Sequence, residues 1–267
     1  DKSFIDLLNK FRIAKVNDQD LAQINQRYQG PGFQVPNGVI LLSTTNAKVD
    51  KINNSKLAEL DSKHFEYEGS IKGDFKEKDC PSPETLKLKV GAQVMLTQND
   101  VGNEPRRWSN GTLAIIHELK PNSISIKIKD EVFVLGKSRW EKIQFTVADD
   151  IIKRKVVATF SQYPLKLAWA STIHKSQGQT FEKVAIDLDR GSFAHGQTYV
   201  ALSRARSMEG IYLVRKIAYK DLIFDEKVFD FLGQDFEAKN KEQIAKKNDP
   251  SEYKSSLPYD EDYNQDI

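Results

Sequence analysis

Two hydrophobic periods alternate along the chain. Apolar positions recur every three to four residues from Phe4 to Phe11, over 18–28 and after Asn46, which predicts amphipathic helices. Four short, continuous apolar runs are typical of buried strands, namely 39–43, 165–171, 183–189 and 211–215. Because helices and buried strands alternate, the pattern predicts an α/β domain with a parallel sheet.

The period changes in the middle of the chain. Five strand-like runs separated by turn residues occupy 93–96, 112–117, 123–128, 132–135 and 143–147. They predict a small β-barrel, and strand spacing alone allows an SH3-like or an OB-like barrel. We therefore expect an α/β domain in two parts, 1–84 and 153–231, interrupted by a small β-domain at 85–152. A charged, partly disordered tail is expected at 232–267, where apolar residues are scarce.

Composition excludes several kinds of site. The chain has 267 residues, 39% of them apolar, which is enough for one large or two modest packed domains. No apolar run approaches the roughly 20 residues that cross a bilayer, and no signal peptide is visible. The single cysteine, Cys80, excludes an internal disulfide, and four scattered histidines argue against structural zinc. We expect a cytoplasmic protein and, because Asp1 replaces an initiator Met, a fragment.

Net charge does not identify a partner. The chain has 40 basic and 38 acidic residues, and a formal net charge of +2 is compatible with separate basic and acidic patches. A nucleic-acid surface must therefore be argued from local sequence.

Nucleotide hydrolysis usually needs a glycine-rich loop with a lysine around the phosphates, the pattern GxxxxGK[ST]. The stretch 136–138 matches its last three letters, but Glu131 stands where the first glycine belongs. The stretch from Gly191 to Thr198 has both glycines and the hydroxyl, but Gln197 replaces the lysine. We interpret neither as a phosphate loop, nor the acids at 187 and 189 as magnesium ligands.

Two polar segments carry side chains suited to phosphate. TIHKSQGQTF, Thr172 to Phe181, directly follows a buried run, and polar residues there mark the usual binding edge of an α/β sheet. YVALSRAR, Tyr199 to Arg206, is expected as a helix whose apolar face leaves Arg204 and Arg206 free. Two guanidiniums on a rigid helix suit phosphate oxygens. For any one of these residues, a solvated polar side chain is an equally good interpretation.

Together, in this order and at this separation, the two segments resemble motifs V and VI of superfamily 1 DNA helicases of the 5′-to-3′ translocating RecD and Pif type. TTNAKVDKIN (44–53) resembles motif IV, LKLKVGAQVMLTQND (86–100) the entry to the inserted domain, and FIDLLNKFRIA (4–14) the segment joining the motor domains. The resemblance covers roughly residues 3–217. It implies a RecA-like second motor domain, a parallel sheet flanked by helices, interrupted by a small SH3-like β-barrel, with the first motor domain missing.

The resemblance also implies a nucleotide site. Arg204 is the expected arginine finger, which stabilises charge on the transferred phosphoryl group, and Arg206 a nearby support or salt-bridge partner. Gly178, Gln179 and Thr180 are expected to contact nucleotide. RecD-type proteins usually carry a glutamate where this chain has Thr180.

A DNA-binding edge is implied by the same motifs. Thr172, His174 and Ser176 of motif V are expected to contact DNA, as are Thr45 and Asn46 of motif IV. Asn46 also suits a helix N-cap, and a helix N-terminus with a hydroxyl and an amide before it is a good site for a DNA phosphate.

The long loop from Asn99 to Gly111 is a further candidate DNA contact. It contains Arg106, Arg107 and Trp108, and a basic pair beside an exposed indole can hold a strand by charge and stacking. The alternative is a solvated loop whose tryptophan packs locally.

The resemblance predicts the C-terminal motor half of an ATP-dependent DNA helicase. ATP and Mg²⁺ would be held mainly by the missing first RecA-like domain, and none tightly by this fragment alone, which we expect to be monomeric and inactive. Its partners would be single-stranded DNA, duplex junctions and the missing domain, with no membrane. A non-catalytic, helicase-derived adaptor that binds nucleic acid or protein is the alternative, although an adaptor has no physical need for Arg204.

Overall fold

The computed structural model describes residues 2–76, 79–102, 105–148 and 151–223. The four helices are α1 (Lys2–Arg12), α2 (Asp18–Asn25), α3 (Asn46–Ala58) and α4 (Gln197–Leu202). The first strands are β1 (Ile40–Ser43), β2 (His64–Glu68), β3 (Ser70–Gly73), β4 (Thr85–Lys89), β5 (Gln93–Leu96), β6 (Leu113–Lys120) and β7 (Ser123–Ile128). The remaining strands are β8 (Glu131–Leu135), β9 (Ser138–Ala148), β10 (Ile151–Gln162), β11 (Leu165–Leu167), β12 (Ala170–Thr172), β13 (Val184–Asp187) and β14 (Ile211–Leu213).

A parallel four-stranded sheet in the order β12-β1-β13-β14 is the centre of the larger domain. Successive residues of β1 face opposite sides, as strand geometry requires. Ile40 and Leu42 share a core with α1, α2 and α4, whereas Leu41 shares one with Val49 of α3. Helices therefore flank both faces of a parallel sheet, and the predicted RecA-like α/β fold is confirmed.

Both edges of this sheet are paired. Beside β12, the Asn53 side chain of α3 donates from Nδ2 to the Ala170 carbonyl at 3.0 Å, and its Oδ1 accepts from the Ala170 N–H at 2.9 Å. At the other edge, Tyr28 forms a parallel bridge with Leu213 of β14. A buried amide side chain thus replaces a neighbouring strand at β12 and satisfies backbone groups that would otherwise be orphaned.

A five-stranded antiparallel sheet, β11-β5-β6-β7-β8, forms the smaller domain with the two-stranded sheet β2-β4. Its core includes Leu88 of β4 and Ile126 of β7, together with Tyr67 of β2 and Leu165 of β11. This core draws on residues on both sides of the predicted range 85–152. The domain bounds and the SH3-like class of the barrel stay predictions.

The strands β9 and β10 form a long hairpin that joins β3 in a separate three-stranded sheet. The expectation that 143–147 is the fifth strand of the barrel is therefore wrong, because β11 occupies that place beside β5. Alternating apolar residues identified the strand correctly, but they carry no information about which strand pairs with it.

The run 165–171, expected as one buried strand, is two short strands in two sheets, since β11 pairs with β5 and β12 with β1. Between them, Gln93 Nε2 donates to the carbonyls of Ala168 at 2.8 Å and Val39 at 3.2 Å. Gln93 Oε1 accepts from the Gly38 N–H at 2.9 Å. Gln93 is 2% exposed, so one buried amide ties the two domains together where the chain crosses.

The predicted tail, 232–267, lies outside the described residues. Within the described part of the chain, no helix is long and apolar enough to cross a membrane.

Candidate functional site

Three neighbouring strands of the parallel sheet end at one edge, and polar residues follow each of them. In register, Ser43 at the end of β1 lies between Thr172 of β12 and Asp187 of β13. The segment 172–181, called the motif V loop below, and the N-terminus of α3 both leave from this edge. This is the carboxyl edge of a parallel sheet, where ligands bind in open α/β folds.

The N-terminus of α3 presents two exposed polar side chains. Thr45 is the N-cap residue, but its side chain makes no capping hydrogen bond, and Asn46 is the first helical residue. The expectation that Asn46 caps the helix is therefore wrong by one position, because Thr45 has the extended backbone that a cap requires. Both side chains are exposed at a helix N-terminus that has no side-chain cap, an arrangement suited to a phosphate.

Lys48 bridges Asp187, at the end of β13, and Asp189, two residues beyond it. Its Nζ lies 2.8 Å from Asp187 Oδ2 and 3.1 Å from Asp189 Oδ1. Burial alone would lower the pKa of Lys48, but the hydrogen bonds to these carboxylates outweigh it and raise the pKa. The two acids are thus engaged in an ion-pair cluster with Lys48, a partner that the sequence analysis did not identify. The sequence signal that could have indicated these ion pairs is a lysine in the first turn of a helix that begins at the edge of the sheet.

Motif V residues differ in their accessibility. Thr172 is 6% exposed, and its Oγ1 accepts a hydrogen bond from the Lys175 N–H at 3.2 Å, whereas His174 is exposed. Ser176 is fully buried and donates its hydroxyl to the Ile173 carbonyl at 2.7 Å. The expectation that Ser176 contacts DNA is corrected, since its side chain is committed to holding the loop.

The nucleotide candidates lie at the end of the same loop. Gly178 is exposed and has a φ of +77°, a conformation that favours glycine, and Thr180 is also exposed. Gln179 is half-buried, with its side chain packed beside Gly111 of the smaller domain. Its Oε1 is buried and has no hydrogen-bond partner among the described residues.

Motif VI is shorter as a helix than expected. The helix α4 ends at Leu202, and the following residues pair with motif V, because Phe181 N donates to the Arg204 carbonyl at 2.8 Å and Arg206 N donates to the Phe181 carbonyl at 3.0 Å. The prediction of a helix through Arg206 is therefore wrong in its last four residues. Backbone pairing with Phe181, rather than a rigid helix, positions both arginines.

The guanidinium of Arg204 is held by neutral acceptors. Nη1 donates to the Gln179 carbonyl at 2.8 Å, Nε to the Val200 carbonyl at 3.0 Å, and Nη2 to Ser203 Oγ at 2.9 Å. No carboxylate among the described residues pairs with it, and burial lowers the pKa of Arg204. By contrast, Arg206 is an exposed partner of Glu182. Arg204 is thus a half-buried cation whose charge is not balanced by any acid in the part of the chain that the structure describes.

The loop from Asn99 to Gly111 is built around Trp108, which is 8% exposed and packs edge-on against Phe133. The guanidinium of Arg107 lies 4.4 Å from the indole centroid and donates from Nε and Nη2 to the carboxylate of Asp100, each at 2.8 Å. The hydrogen bonds to Asp100 raise the pKa of Arg107. The expected exposed indole is therefore wrong and the alternative of local packing is correct. Arg106 is exposed.

Neither stretch that resembles a phosphate loop has the required structure. In the first, 136–138 connects two strands, β8 and β9. In the second, the hydroxyls of Ser192 and Thr198 contact each other at 2.7 Å and are buried. Among the described residues, no three His, Cys, Asp or Glu side chains lie close enough to hold a metal ion.

Comparison with curated proteins identifies relatives, although no family model matches the chain. It is 33% identical over 242 residues to "ATP-dependent DNA helicase Pif1" of Bdellovibrio bacteriovorus, covering 88% of this chain and 52% of that protein. It is 32% identical over 221 residues to "ATP-dependent DNA helicase PIF1" of Homo sapiens, covering 79% of this chain and 32% of that protein.

Solved structures with the same fold include an unliganded Pif1 from Bacteroides sp, with a TM-score of 0.78 at 34% identity over 87% of this chain and 54% of that one. A Bacteroides sp Pif1 in complex with ADP-AlF4 has a TM-score of 0.77 at 33% identity over 91% of this chain and 55% of that one. Bacteroides Pif1 bound to ssDNA has a TM-score of 0.61 at 35% identity over 86% of this chain and 53% of that one.

The chain spans about half the length of the bacterial relative and of these solved structures, and about a third of the human one. Over most of its own length, the chain is homologous to Pif1 helicases of superfamily 1.

Proposed function

We propose that the chain is the C-terminal motor half of an ATP-dependent DNA helicase that translocates 5′-to-3′, and that it contributes the arginine finger and part of the single-stranded DNA track. The observation that carries the proposal is Arg204, a half-buried guanidinium without a carboxylate partner among the described residues. Burying a cation among neutral acceptors is costly unless an anion completes the site. The charge that develops on a transferred phosphoryl group is such an anion.

The nucleotide would be held from two sides. The sequence has no GxxxxGK[ST] loop, so the phosphates and Mg²⁺ of ATP would be gripped mainly by a first RecA-like domain, the partner that this chain requires. From the present side, Arg204 would reach the γ-phosphate, and the exposed Gly178 and Thr180 would lie nearest the nucleotide. The ADP-AlF4 complex of Bacteroides sp Pif1 supports ATP as the nucleotide.

The DNA track would follow the carboxyl edge of the parallel sheet. Thr45 and Asn46 are exposed at the N-terminus of α3, Thr172 ends the neighbouring strand β12, and His174 is exposed in the turn that follows it. Hydroxyl, amide, imidazole and backbone N–H groups along one edge suit phosphates of a single strand without reading its sequence. On the smaller domain, Arg106 would face a duplex junction, whereas Arg107 and Trp108 would hold the loop in shape. The ssDNA complex of Bacteroides Pif1 supports this partner.

The test compares the isolated chain with a protein in which it follows its first motor domain. The longer protein should hydrolyse ATP in a DNA-stimulated manner and unwind duplexes with a 5′ single-stranded tail, but not those with a 3′ tail. The isolated chain should behave as a monomer without ATP turnover. Turnover by the isolated chain, or a preference for 3′ tails, would contradict the proposal.

The alternative of a non-catalytic adaptor is addressed by the same measurement. An adaptor would bind DNA or a protein partner equally well with Arg204 replaced, and the longer protein would show no ATP-dependent unwinding. No observation on the described residues favours it over a motor.

A further inference from the structure

Gln179 joins the smaller domain to the arginine of motif VI. Its side chain packs against Gly111, at the end of the β5–β6 loop, and its carbonyl accepts the hydrogen bond from Arg204 Nη1 at 2.8 Å. One residue of the motif V loop is therefore in contact with both the loop proposed to face DNA and the arginine proposed to face nucleotide.

The contact with Gly111 depends on the absence of a side chain there. Gly111 has a φ of +91°, and a Cβ at this position would lie 3.0 Å from Gln179 Cγ and 3.2 Å from its Cδ. Such distances are shorter than ordinary van der Waals contact, so an added methyl group would require the Gln179 side chain to shift by a few tenths of an ångström. Only glycine permits this approach of the two domains without strain.

The position of Gly111 is fixed by hydrogen bonds within the β5–β6 loop. Its N–H donates to the Leu96 carbonyl of β5 at 2.8 Å. The Asn110 N–H next to it donates to Asn99 Oδ1 at 2.8 Å, and the Asp100–Arg107 ion pair closes the loop. A change in the position of this loop would therefore be transmitted to whatever packs against Gly111.

The side-chain oxygen of Gln179 is not fixed by a hydrogen bond within the described part of the chain. Oε1 is buried without a hydrogen-bond partner among the described residues, so no hydrogen bond of this oxygen opposes a shift of the side chain away from Gly111. On the backbone side, the Gln179 N–H donates to the Ser176 carbonyl at 3.1 Å, and Arg204 Nη1 also approaches that carbonyl at 3.4 Å. Displacing Gln179 would therefore move acceptors that position the arginine.

We propose that Gly111 and Gln179 are positioning residues that couple the β5–β6 loop of the smaller domain to Arg204, so that DNA engaged at the loop adjusts the arginine for hydrolysis. The inference rests on the proposed helicase function. It assigns the coupling to a specific contact across the two domains, and neither residue needs to touch DNA or the reacting phosphate for that role.

The test uses Gly111→Ala in the complete helicase, with Gly102→Ala as the matched control. Gly102 lies in the same loop with a φ of +83°, but a Cβ there would meet nothing within 4 Å. Both variants place an alanine at a positive φ, and only Gly111→Ala pushes on Gln179. Gly111→Ala should lower the DNA-stimulated kcat for ATP roughly 2- to 30-fold, the range for mutations that modulate coupling between sites. The KM for ATP and the single-stranded DNA affinity should stay within about twofold of wild type. Equal effects of the two variants would overturn the inference.

Variants of Gln179 keep the test decisive if Gly111→Ala does not fold. Gln179→Ala removes the packing while leaving the carbonyl in place, and it should lower kcat without raising KM. Gln179→Met restores a side chain of similar length, and it should recover most of the kcat. If the glutamine acted instead as a direct nucleotide ligand, both variants would raise KM, and the positioning role would be wrong.

A double-mutant cycle separates the contact from other effects of the methyl group. In a Gln179→Ala background, Gly111→Ala should add no further loss of kcat, because the side chain it displaces is gone. Additive losses would overturn the inference while leaving the helicase function intact. An absence of DNA-stimulated hydrolysis in the wild-type protein, by contrast, would be a failure of the proposed function itself.

Discussion

Arg204 Nη1 lies 2.8 Å from the carbonyl oxygen of Gln179, so the arginine of motif VI is held by the backbone of motif V across a separation of 25 residues. The same two segments pair through Phe181 and Ala205. A guanidinium in neutral hydrogen bonds can leave them for a phosphate at little cost, because a charge-assisted hydrogen bond to an anion is the stronger interaction.

Replacing Arg204 tests its role in hydrolysis. In the complete helicase, Arg204→Ala should lower the kcat for ATP by about 10³-fold or more, the scale of an arginine finger. The affinity for single-stranded DNA should change by less than about twofold, since no DNA candidate depends on this side chain. Steady-state ATP turnover and fluorescence anisotropy of a labelled oligonucleotide measure the two effects.

Arg206→Ala is the companion variant. Arg206 is exposed and paired with Glu182, and exposed ion pairs contribute little, so turnover should fall far less than in Arg204→Ala. A comparable loss of DNA binding and hydrolysis in Arg204→Ala would instead identify a structural arginine.

The N-terminus of α3 is expected to bind a DNA phosphate. Asn46→Ala should weaken single-stranded DNA binding roughly 3- to 10-fold, the scale of one lost hydrogen bond, and by the same factor for every base sequence. Affinity of the wild-type chain should fall as salt rises, because phosphate contacts release counterions. The control is Asn54→Ala, an exposed asparagine within the same helix. The hypothesis fails if both variants bind alike or if the loss depends on sequence.

Two residues of the β5–β6 loop are expected to have different roles, because Trp108 is buried and Arg106 is exposed. Trp108→Ala should destabilise the smaller domain by about 3–5 kcal/mol, because it removes a buried indole from its contacts with Phe133 and Arg107. Arg106→Ala should leave the melting temperature and the DNA-stimulated ATPase unchanged and slow strand separation. The control is Arg139→Ala, which replaces an exposed arginine of β9 in the three-stranded sheet. A normal rate of unwinding by the Arg106→Ala variant would show that this loop does not take part in strand separation.

Asn53 should be essential for the edge of the parallel sheet. Asn53→Leu keeps the branching at Cγ but leaves the Ala170 N–H and carbonyl without their side-chain partners, so it should cost about 2 kcal/mol or more in the free energy of unfolding. Asn54→Leu, at the exposed neighbouring position, should change it by less than about 0.5 kcal/mol. Urea unfolding of the chain measures both. Equal stabilities would show that water replaces the amide.

Lys166 should make stability depend on pH. Burial lowers the pKa of this half-buried lysine, and the charge of Lys175 lowers it further. In the window between the lowered pKa and the unfolded value of 10.5, the unfolded chain binds more protons, so the free energy of unfolding rises with pH. Lys166→Met should therefore be more stable than wild type at about pH 7, and the difference should narrow as the pH approaches 10.5.

The control for this prediction is Lys51→Met, an exposed lysine of α3. The difference in the free energy of unfolding between Lys51→Met and wild type should not narrow comparably as the pH rises. A constant difference between Lys166→Met and wild type at all pH values would show that the variant acts through packing and not through the buried charge.

Local sequence determined most elements of the fold and the location of the site. Apolar spacing identified the helices, the buried strands and the change of period in the middle of the chain, because side-chain periodicity is set by the geometry of one element alone. Polar segments placed directly after buried strands likewise located the carboxyl edge, which follows from the parallel order of the strands.

Pairing and accessibility were decided by the tertiary structure. The run 165–171 divides between two sheets, and 138–148 pairs outside the five-stranded sheet, because strand partners are chosen by contacts between residues distant in sequence. The exposure of Trp108 and Ser176 was misjudged for the same reason, since an aromatic or a hydroxyl in a polar loop has no local signal for the neighbours that bury it.

Amide side chains show this limit most plainly. Local patterns assign polar residues such as Asn53, Gln93 and Gln162 to the solvent-exposed surface. Each of these three is buried, and its side chain forms hydrogen bonds with backbone groups of a remote segment. Their role exists only once two segments have met with unpaired N–H and carbonyl groups between them. The sequence therefore indicated candidate residues for phosphate and DNA, whereas the packing of the two domains decided that Gln179 lies between Gly111 and Arg204.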